Sequence, residues 1–178
     1  LYAPKGIGVL YIREGTPVEP LIHGAGHESG RRAGTENVLL IVGLGKACEI
    51  AKKYLDDEKI RDFRDRFWNL LQENFGSGMV LNGHPTHRLP NTLNISFVGK
   101  SGEQILSQLD GVAASTGAAC HSGSVELSPV LKAMGVLPKV GMGAIRFSLG
   151  RTTTMQELER VIQLLKNTFP LWGHNACE

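Results

Sequence analysis

The sequence has few cysteines, few aromatic residues and almost no net charge. Its three cysteines, at positions 48, 120 and 177, are far apart and lack C-x-x-C spacing, which argues against a disulfide framework and favours a reducing compartment. The net charge of +2 gives no reason to expect nucleic acid or an anionic membrane surface as a partner. Because no run of about 18 apolar residues occurs, no transmembrane helix is expected.

What is present is the residue balance of a soluble globular protein. Hydrophobic residues make up 42% and charged residues 20% of the 178 residues, enough for one domain or for one domain and part of another. The 22 glycines are concentrated in particular loops, which indicates close approach of the backbone to another group. The segment Leu1–Lys5 has no initiator Met and no apolar signal core, and is typical of the middle of a longer protein.

Apolar spacing divides the chain into helices and strands. Leu40, Leu44 and Ala51 share one helical face, whereas Leu93 and Ile95 alternate with polar residues as in a half-buried strand. The order of elements predicts an α/β sandwich, with helices packed on a mixed or antiparallel sheet. The predicted helices are 36–54, 57–75, 101–109, one starting at 128–129 and one starting near 153–154; the predicted strands are 6–12, 78–81, 92–98, 111–115 and 144–149; the predicted loops include 22–35 and 116–126.

Capping residues set several of these boundaries. Thr35 can cap the first long helix. Ser101–Gln104 and Thr154–Glu157 both match the capping box, in which a hydroxyl and a side chain three residues later satisfy each other's backbone N–H groups. Gly43 and Gly45 lower helix propensity inside that first helix, so we expect close packing against another element to compensate.

Cys120 is the first candidate for chemistry. Its surroundings, Ser115–Ser124, contain no large apolar side chain, whereas a structural cysteine such as Cys48 sits in an apolar stripe. A partly exposed thiol next to an imidazole, here His121, can have a lowered pKa and act as a nucleophile. An incidental loop cysteine is an equally good interpretation from these residues alone.

Arg146 is the second candidate. The alternation of its predicted strand turns it away from Ile145 and Phe147, so it is not a core residue. A guanidinium fixed on a strand can bind a carboxylate through two parallel hydrogen bonds. Taken alone, an ordinary surface arginine is the more common explanation of this pattern.

The third candidate is Gly34–Thr35, before the first long helix. A hydroxyl and free backbone N–H groups at a helix N-terminus form an anion site, and Arg31 and Arg32 add positive charge. Plain helix capping is the more common role of such a pair. No metal site is expected, because His23 and His27 lie in a glycine-rich loop and not on a helix, and His84 and His87 lie in a turn-rich connector.

Taken together, these segments resemble the cysteine desulfurase and selenocysteine lyase family, which are class V aminotransferase-type, fold type I enzymes dependent on pyridoxal phosphate. Five segments in the same order along nearly the whole chain are more specific than any one motif. They are Tyr2–Tyr11, Gly26–Glu28 with Arg32–Asn37, Leu89–Ile95, Ser115–Ser122 and Ile145–Arg151.

The resemblance implies roles for the three candidates. Cys120 would attack the sulfur or selenium of the bound amino acid, leaving alanine and a persulfide on the thiol. Arg146 would bind the substrate carboxylate, and Thr35 would bind the phosphate of pyridoxal phosphate, typically in the other subunit of a homodimer. A sulfur-acceptor protein would be the partner, as in iron–sulfur cluster assembly. The expected compartment is the cytoplasm, with an organelle as the alternative.

The resemblance also implies a division of the chain. Residues 1–53 would be the C-terminal tail of the large cofactor-binding domain, and residues 54–178 the small C-terminal domain that carries the Cys120 loop. The lysine that forms the Schiff base in this family would directly precede Leu1, and Lys5 is not a substitute for it. We therefore expect residues 1–178 alone to be inactive, and the predicted activity to belong to a longer parent.

Three other functions stay open. Selenocysteine lyase is the nearest, because the residues around Cys120 do not decide between sulfur and selenium. A non-catalytic domain that accepts sulfur or binds a partner would explain the lack of the Schiff-base lysine. A class V relative without a catalytic thiol is disfavoured by the presence of Cys120.

Overall fold

The computed structural model describes residues 1–55, 58–116, 118–121 and 124–169. The chain divides into two compact units, Leu1–Asp57 and Glu58–Glu178. That residues 1–53 are the tail of a large domain, and residues 54–178 a small domain, stays a prediction.

The first unit contains two helices. Helix α1 (His27–Gly30) is a single distorted turn, in which Glu28 and Ser29 both have positive φ, and α2 (Val38–Lys52) is a regular helix. Our prediction of a loop over 22–35 did not include the turn of α1. The cap predicted at Thr35 is wrong, because the helix begins two residues later and the side chain of Asn37 accepts the hydrogen bond from Leu40 N.

The predicted buried strand at 6–12 is also wrong for this chain. Residues 6–12 form no strand, and Val9, Leu10 and Tyr11 are 76%, 75% and 86% exposed. A strand needs a neighbour to satisfy its backbone hydrogen-bonding groups, and no strand of the described residues pairs with this segment. Its apolar, β-branched composition predicts burial correctly only if such a neighbour is present.

The second unit is built on a four-stranded antiparallel sheet. Its strands are β1 (Met79–Leu81), β2 (Thr92–Phe97), β3 (Ser115–Thr116) and β6 (Ala144–Ser148), in the order β1-β2-β6-β3. The predicted α/β class with an antiparallel sheet is confirmed. The alternation in β2 and β6 predicted both strands to within a residue of their observed ends. The strand predicted at 111–115 is reduced to β3, which begins where the prediction ended.

Two long helices cover one face of this sheet. They are α3 (Lys59–Phe75) and α7 (Met155–Thr168), and their apolar faces join the alternate residues of β2 and β6 in one core. Phe67 and Phe147 meet edge to face there, with ring centroids 5.3 Å apart. The predicted capping box of Thr154 and Glu157 is present with both of its hydrogen bonds.

Three shorter helices complete the unit. Helix α4 (Gly102–Gln108) is capped by Ser101, whose side chain accepts a hydrogen bond from Gln104 N, which is one of the two hydrogen bonds of the predicted capping box. Helix α5 (Pro129–Ala133) begins at the predicted proline, whereas α6 (Pro138–Gly141) was not predicted.

The segment predicted as a loop over 116–126 forms a second, separate sheet. Strands β4 (Ala118–His121) and β5 (Ser124–Leu127) pair antiparallel as a hairpin, with Cys120 opposite Val125. The prediction of a loop failed because β4 consists mostly of small residues, and the alternation of polar and apolar residues in β5 is only four residues long.

Candidate substrate and thiol site

A single row of polar side chains crosses the four-stranded sheet on the face opposite the core. Asn94 lies opposite Arg146 in the β2–β6 ladder, and Ser115 lies opposite Arg146 in the β6–β3 ladder. The row continues to Asn82, just after β1, whose N–H donates to the Asn94 carbonyl at 2.9 Å. Directly opposed residues of neighbouring strands point to the same face, so these four side chains share one surface.

Arg146 occupies the position in this row that the sequence predicted. It is exposed, while its neighbours Ile145 and Phe147 are buried in the core. Within the described residues, no carboxylate lies at ion-pair distance from its guanidinium. The fork of donors on Arg146 is therefore available for an external carboxylate, which it can bind with two parallel hydrogen bonds.

Asn82 and Asn94 were not identified from the sequence. Asn82 Nδ2 donates to Asn94 Oδ1 and to Ser96 Oγ, both at 2.8 Å, and Asn82 is only 6% exposed. The alternation of β2 did place Asn94 on the face away from Leu93 and Ile95. What the sequence could not supply was the pairing of strands that puts Asn94 beside Arg146.

Cys120 lies on β4, a short distance along the chain from this row. Strand β3 ends at Thr116, and β4 begins two residues later. The side chains of Cys120 and His121 lie outside the part of the chain that the structure describes, so the predicted nucleophilic role stays a prediction. The backbone places the thiol-bearing strand and the Arg146 strand in the same compact unit.

Thr35 belongs to the first unit and is exposed. Gly34 before it has a φ of +99°, and Arg32 Nη1 lies 3.9 Å from the point that a Cβ on Gly34 would occupy. An exposed hydroxyl, with a guanidinium beside the preceding residue, is a donor set that fits a phosphate group. The residues present are thus compatible with a pyridoxal phosphate whose phosphate Thr35 would contact.

A further pair orders the segment before Thr35. His27 Nδ1 lies 3.1 Å from Glu36 Oε1, which joins α1 to the start of α2. The Glu36 backbone N–H, and then the hydrogen bond from the His27 ring, hold the pKa of the Glu36 carboxyl below its ordinary value of 4.5. The pair therefore favours one arrangement of the glycine-rich segment around Thr35.

No helix among the described residues is long and apolar enough to cross a bilayer. Comparison with solved structures gives a NifS-like protein with a TM-score of 0.81 and 35% identity, covering 94% of this chain and 43% of that one. A NifS-like protein from Rickettsia africae superposes with a TM-score of 0.75 at 26% identity, covering 88% of this chain and 41% of that one.

Sequence comparison agrees with the structural one. The model of the class V aminotransferase family matches residues 1–161, and the chain belongs to that family. A cysteine desulfurase of Gluconacetobacter diazotrophicus is 46% identical over 99% of this chain and 47% of its own length. Cysteine desulfurase 2 of Trichormus variabilis is 51% identical over 93% of this chain and 42% of its own length. Cysteine desulfurase NifS of Azotobacter vinelandii is 43% identical over 99% of this chain and 46% of its own length.

The chain thus spans a little under half the length of these curated relatives. The resemblance to the cysteine desulfurase and selenocysteine lyase family, stated from the five matched segments, is confirmed.

Proposed function

We propose that this chain is part of a pyridoxal-phosphate-dependent cysteine desulfurase, which converts L-cysteine to L-alanine and leaves a persulfide on Cys120. The observation that carries the proposal is the row of Arg146 and Ser115: a carboxylate-binding group stands next to the strand that leads into the thiol-bearing hairpin. The relatives named cysteine desulfurase are the reason to place cysteine ahead of selenocysteine.

Each of the three proposed site residues has a distinct task. Arg146 binds the substrate carboxylate and so fixes the amino acid over the sheet. Thr35 donates to the cofactor phosphate. Cys120, as a thiolate, attacks the substrate sulfur: an S–S bond forms, the C–S bond breaks, and the carbon takes up a proton to give alanine. Pyridoxal phosphate, when bound, supplies the electron sink that lets the C–S bond break.

The proposal extends to the partners of the whole protein. A persulfide is a carrier state, so a sulfur-acceptor protein must remove the sulfur before the next turnover. The matching of Thr35 to a phosphate-binding position in the other subunit makes a homodimer the proposed assembly. Residues 1–53 and 54–178 are proposed to be the tail of the large domain and the small domain.

The test uses the full-length protein that contains this chain, with cofactor and L-cysteine. The wild type should release alanine and should gain the mass of one sulfur atom at Cys120. Cys120→Ser should abolish both signals. Cys48→Ser is the matched control, because Cys48 is a free, exposed cysteine on α2, and it should leave both unchanged. Desulfuration by Cys120→Ser at the wild-type rate would contradict the proposed role of the thiol, and a wild type that releases no alanine would contradict the function itself.

A further inference from the structure

Asn82 is a buried residue whose donors are fully used. Its two amide protons go to Asn94 Oδ1 and Ser96 Oγ, and Ser96 is itself completely buried. A buried side chain held by two hydrogen bonds has little freedom to turn, because breaking either one leaves an unsatisfied polar group. Asn82 therefore presents a fixed donor to Asn94.

The hydrogen bond from Asn82 sets the orientation of the Asn94 amide. Oδ1 of Asn94 faces Asn82 on the β1 side of β2, which leaves Nδ2 on the side away from Asn82. In the row across the sheet, the next residue on that side is Arg146. Asn94 is half-buried, and its Nδ2 donates to no acceptor in the described part of the chain.

The neighbouring groups show what kind of ligand would satisfy this amide. The guanidinium of Arg146 has donors only, so it cannot accept a hydrogen bond from Asn94 Nδ2. A carboxylate bound by Arg146 has about four acceptor sites, of which a bidentate arginine uses two. Opposed side chains in an antiparallel pair have Cβ atoms about 5 Å apart, so Asn94 and Arg146 are direct neighbours on this face of the sheet.

We propose that Asn94 is a second binding residue for the substrate carboxylate, donating from Nδ2 to the group that Arg146 binds, and that Asn82 is the positioning residue that holds Asn94 in that orientation. The inference rests on the proposed function, since it assumes an amino-acid substrate at Arg146. It also predicts specificity for a free carboxylate over its ester. An amide N–H stabilises a negatively charged carboxylate more than it stabilises a neutral ester.

The test measures ligand binding to the full-length holoenzyme by titration of the cofactor absorbance. L-cysteine and L-cysteine methyl ester are compared, because the two differ only at the carboxylate. Asn94→Ala should weaken L-cysteine binding by about ten-fold, the lower bound for a hydrogen bond to a charged group, and should change ester binding by less than about two-fold. Ser148→Ala, on the same exposed face of β6, is the matched control and should change neither.

Asn94→Asp keeps the experiment decisive if the alanine variant folds poorly. The carboxylate that replaces the Asn94 amide still accepts a hydrogen bond from Asn82, so the hydrogen bonds of Asn82 are kept. It also puts a negative charge beside the bound substrate carboxylate. L-cysteine binding should then fall by more than in Asn94→Ala, with the ester again little affected. Asn82→Ala should reproduce part of the loss, because Asn94 is then free to turn.

The outcomes separate the two proposals. Wild-type holoenzyme that binds no L-cysteine contradicts the proposed function. If the wild type binds L-cysteine and the Asn94 variants bind it just as tightly, the proposed role of Asn94 is overturned and the proposed function is not. Equal weakening of L-cysteine and its ester also overturns it, because that pattern indicates a general effect on the fold.

Discussion

Arg146 on β6 lies directly opposite Ser115 on β3, five positions before Cys120 in the sequence. Because one residue spans at most about 3.6 Å, the Cys120 backbone can be no more than about 18 Å from the Ser115 backbone. The side chain of an arginine and the length of a bound amino acid cover part of that distance. The register of β3 against β6 is thus a direct structural reason to expect the guanidinium and the thiol to serve one substrate.

The role proposed for Arg146 predicts a strong loss of substrate affinity on substitution. Arg146→Lys keeps the charge but removes the planar fork, so the KM for L-cysteine should rise at least ten-fold in the full-length enzyme, and Arg146→Ala should raise it further. Steady-state release of alanine measures both. Arg160→Ala, an exposed arginine on α7, should leave the KM unchanged. An unaltered KM in Arg146→Ala would show that the carboxylate is bound elsewhere.

The aromatic pair under the sheet predicts a large effect on stability. Phe67 is completely buried and meets Phe147 edge to face. Phe67→Ala should lower the free energy of unfolding by about 3–5 kcal/mol, through lost burial and the cavity that remains. Leu89→Ala, at a side chain that is 68% exposed, should change it by less than about 0.5 kcal/mol. Urea denaturation followed by circular dichroism gives both free energies of unfolding. Similar losses in Phe67→Ala and Leu89→Ala would contradict the core described above.

Two glycines in α2 should respond in opposite ways to the same substitution. A Cβ on Gly43 would lie 2.8 Å from Pro4 Cγ, whereas a Cβ on Gly45 would meet nothing within 4 Å. Gly45→Ala should raise the free energy of unfolding by about 1 kcal/mol through helix propensity. Gly43→Ala should lower it, because overpacking costs about 1–3 kcal/mol. Thermal unfolding of the two variants side by side is the measurement, and a stabilising Gly43→Ala would argue against the contact with Pro4.

The pair of His27 and Glu36 predicts a local dependence on pH. The pKa of Glu36 is lowered in the folded chain, so its contribution to stability is present above the ordinary value of 4.5 and is lost as the pH falls through the lowered folded value. NMR titration of the Glu36 side chain should give a midpoint below 4.5. His27→Ala should move that midpoint up, but not fully, because the Glu36 backbone N–H remains. A midpoint that does not respond to His27→Ala would show that the ring has no part in the shift.

The sequence predicted those parts of the fold whose signal is local. Alternation located β2 and β6, and capping residues located the starts of α4 and α7, because each of these patterns depends on residues within one turn or one strand. Arg146 was found in the same way, from the single polar position between Ile145 and Phe147. Gly34–Thr35 became a candidate anion site from its place before a helix, and the resemblance added the cofactor phosphate as the group that Thr35 would bind.

What the sequence could not predict depends on partners distant in the chain. The segment 6–12 is apolar and yet unpaired, because a strand exists only with a neighbour. In the hairpin of β4 and β5, the residues of β4 are mostly too small to show a pattern, and the alternation in β5 is only four residues long. Asn82 and Arg146 are twelve and fifty-two residues away from Asn94 in the sequence. Asn94 and Asn82 became candidates only when the register of the strands placed them in line with Arg146.

Strand β6 is an interior strand, hydrogen-bonded to β2 along one edge and to β3 along the other. Its backbone therefore cannot slide or tilt without breaking two ladders at once, so the backbone of Arg146 is fixed and the reach of its guanidinium changes only by rotation of the side chain. Because Arg146 is the residue proposed to bind the substrate carboxylate, engineering of this protein toward longer or shorter amino acids would leave Arg146 unchanged. It would have to alter the elements that determine how far the reactive atom stands from it.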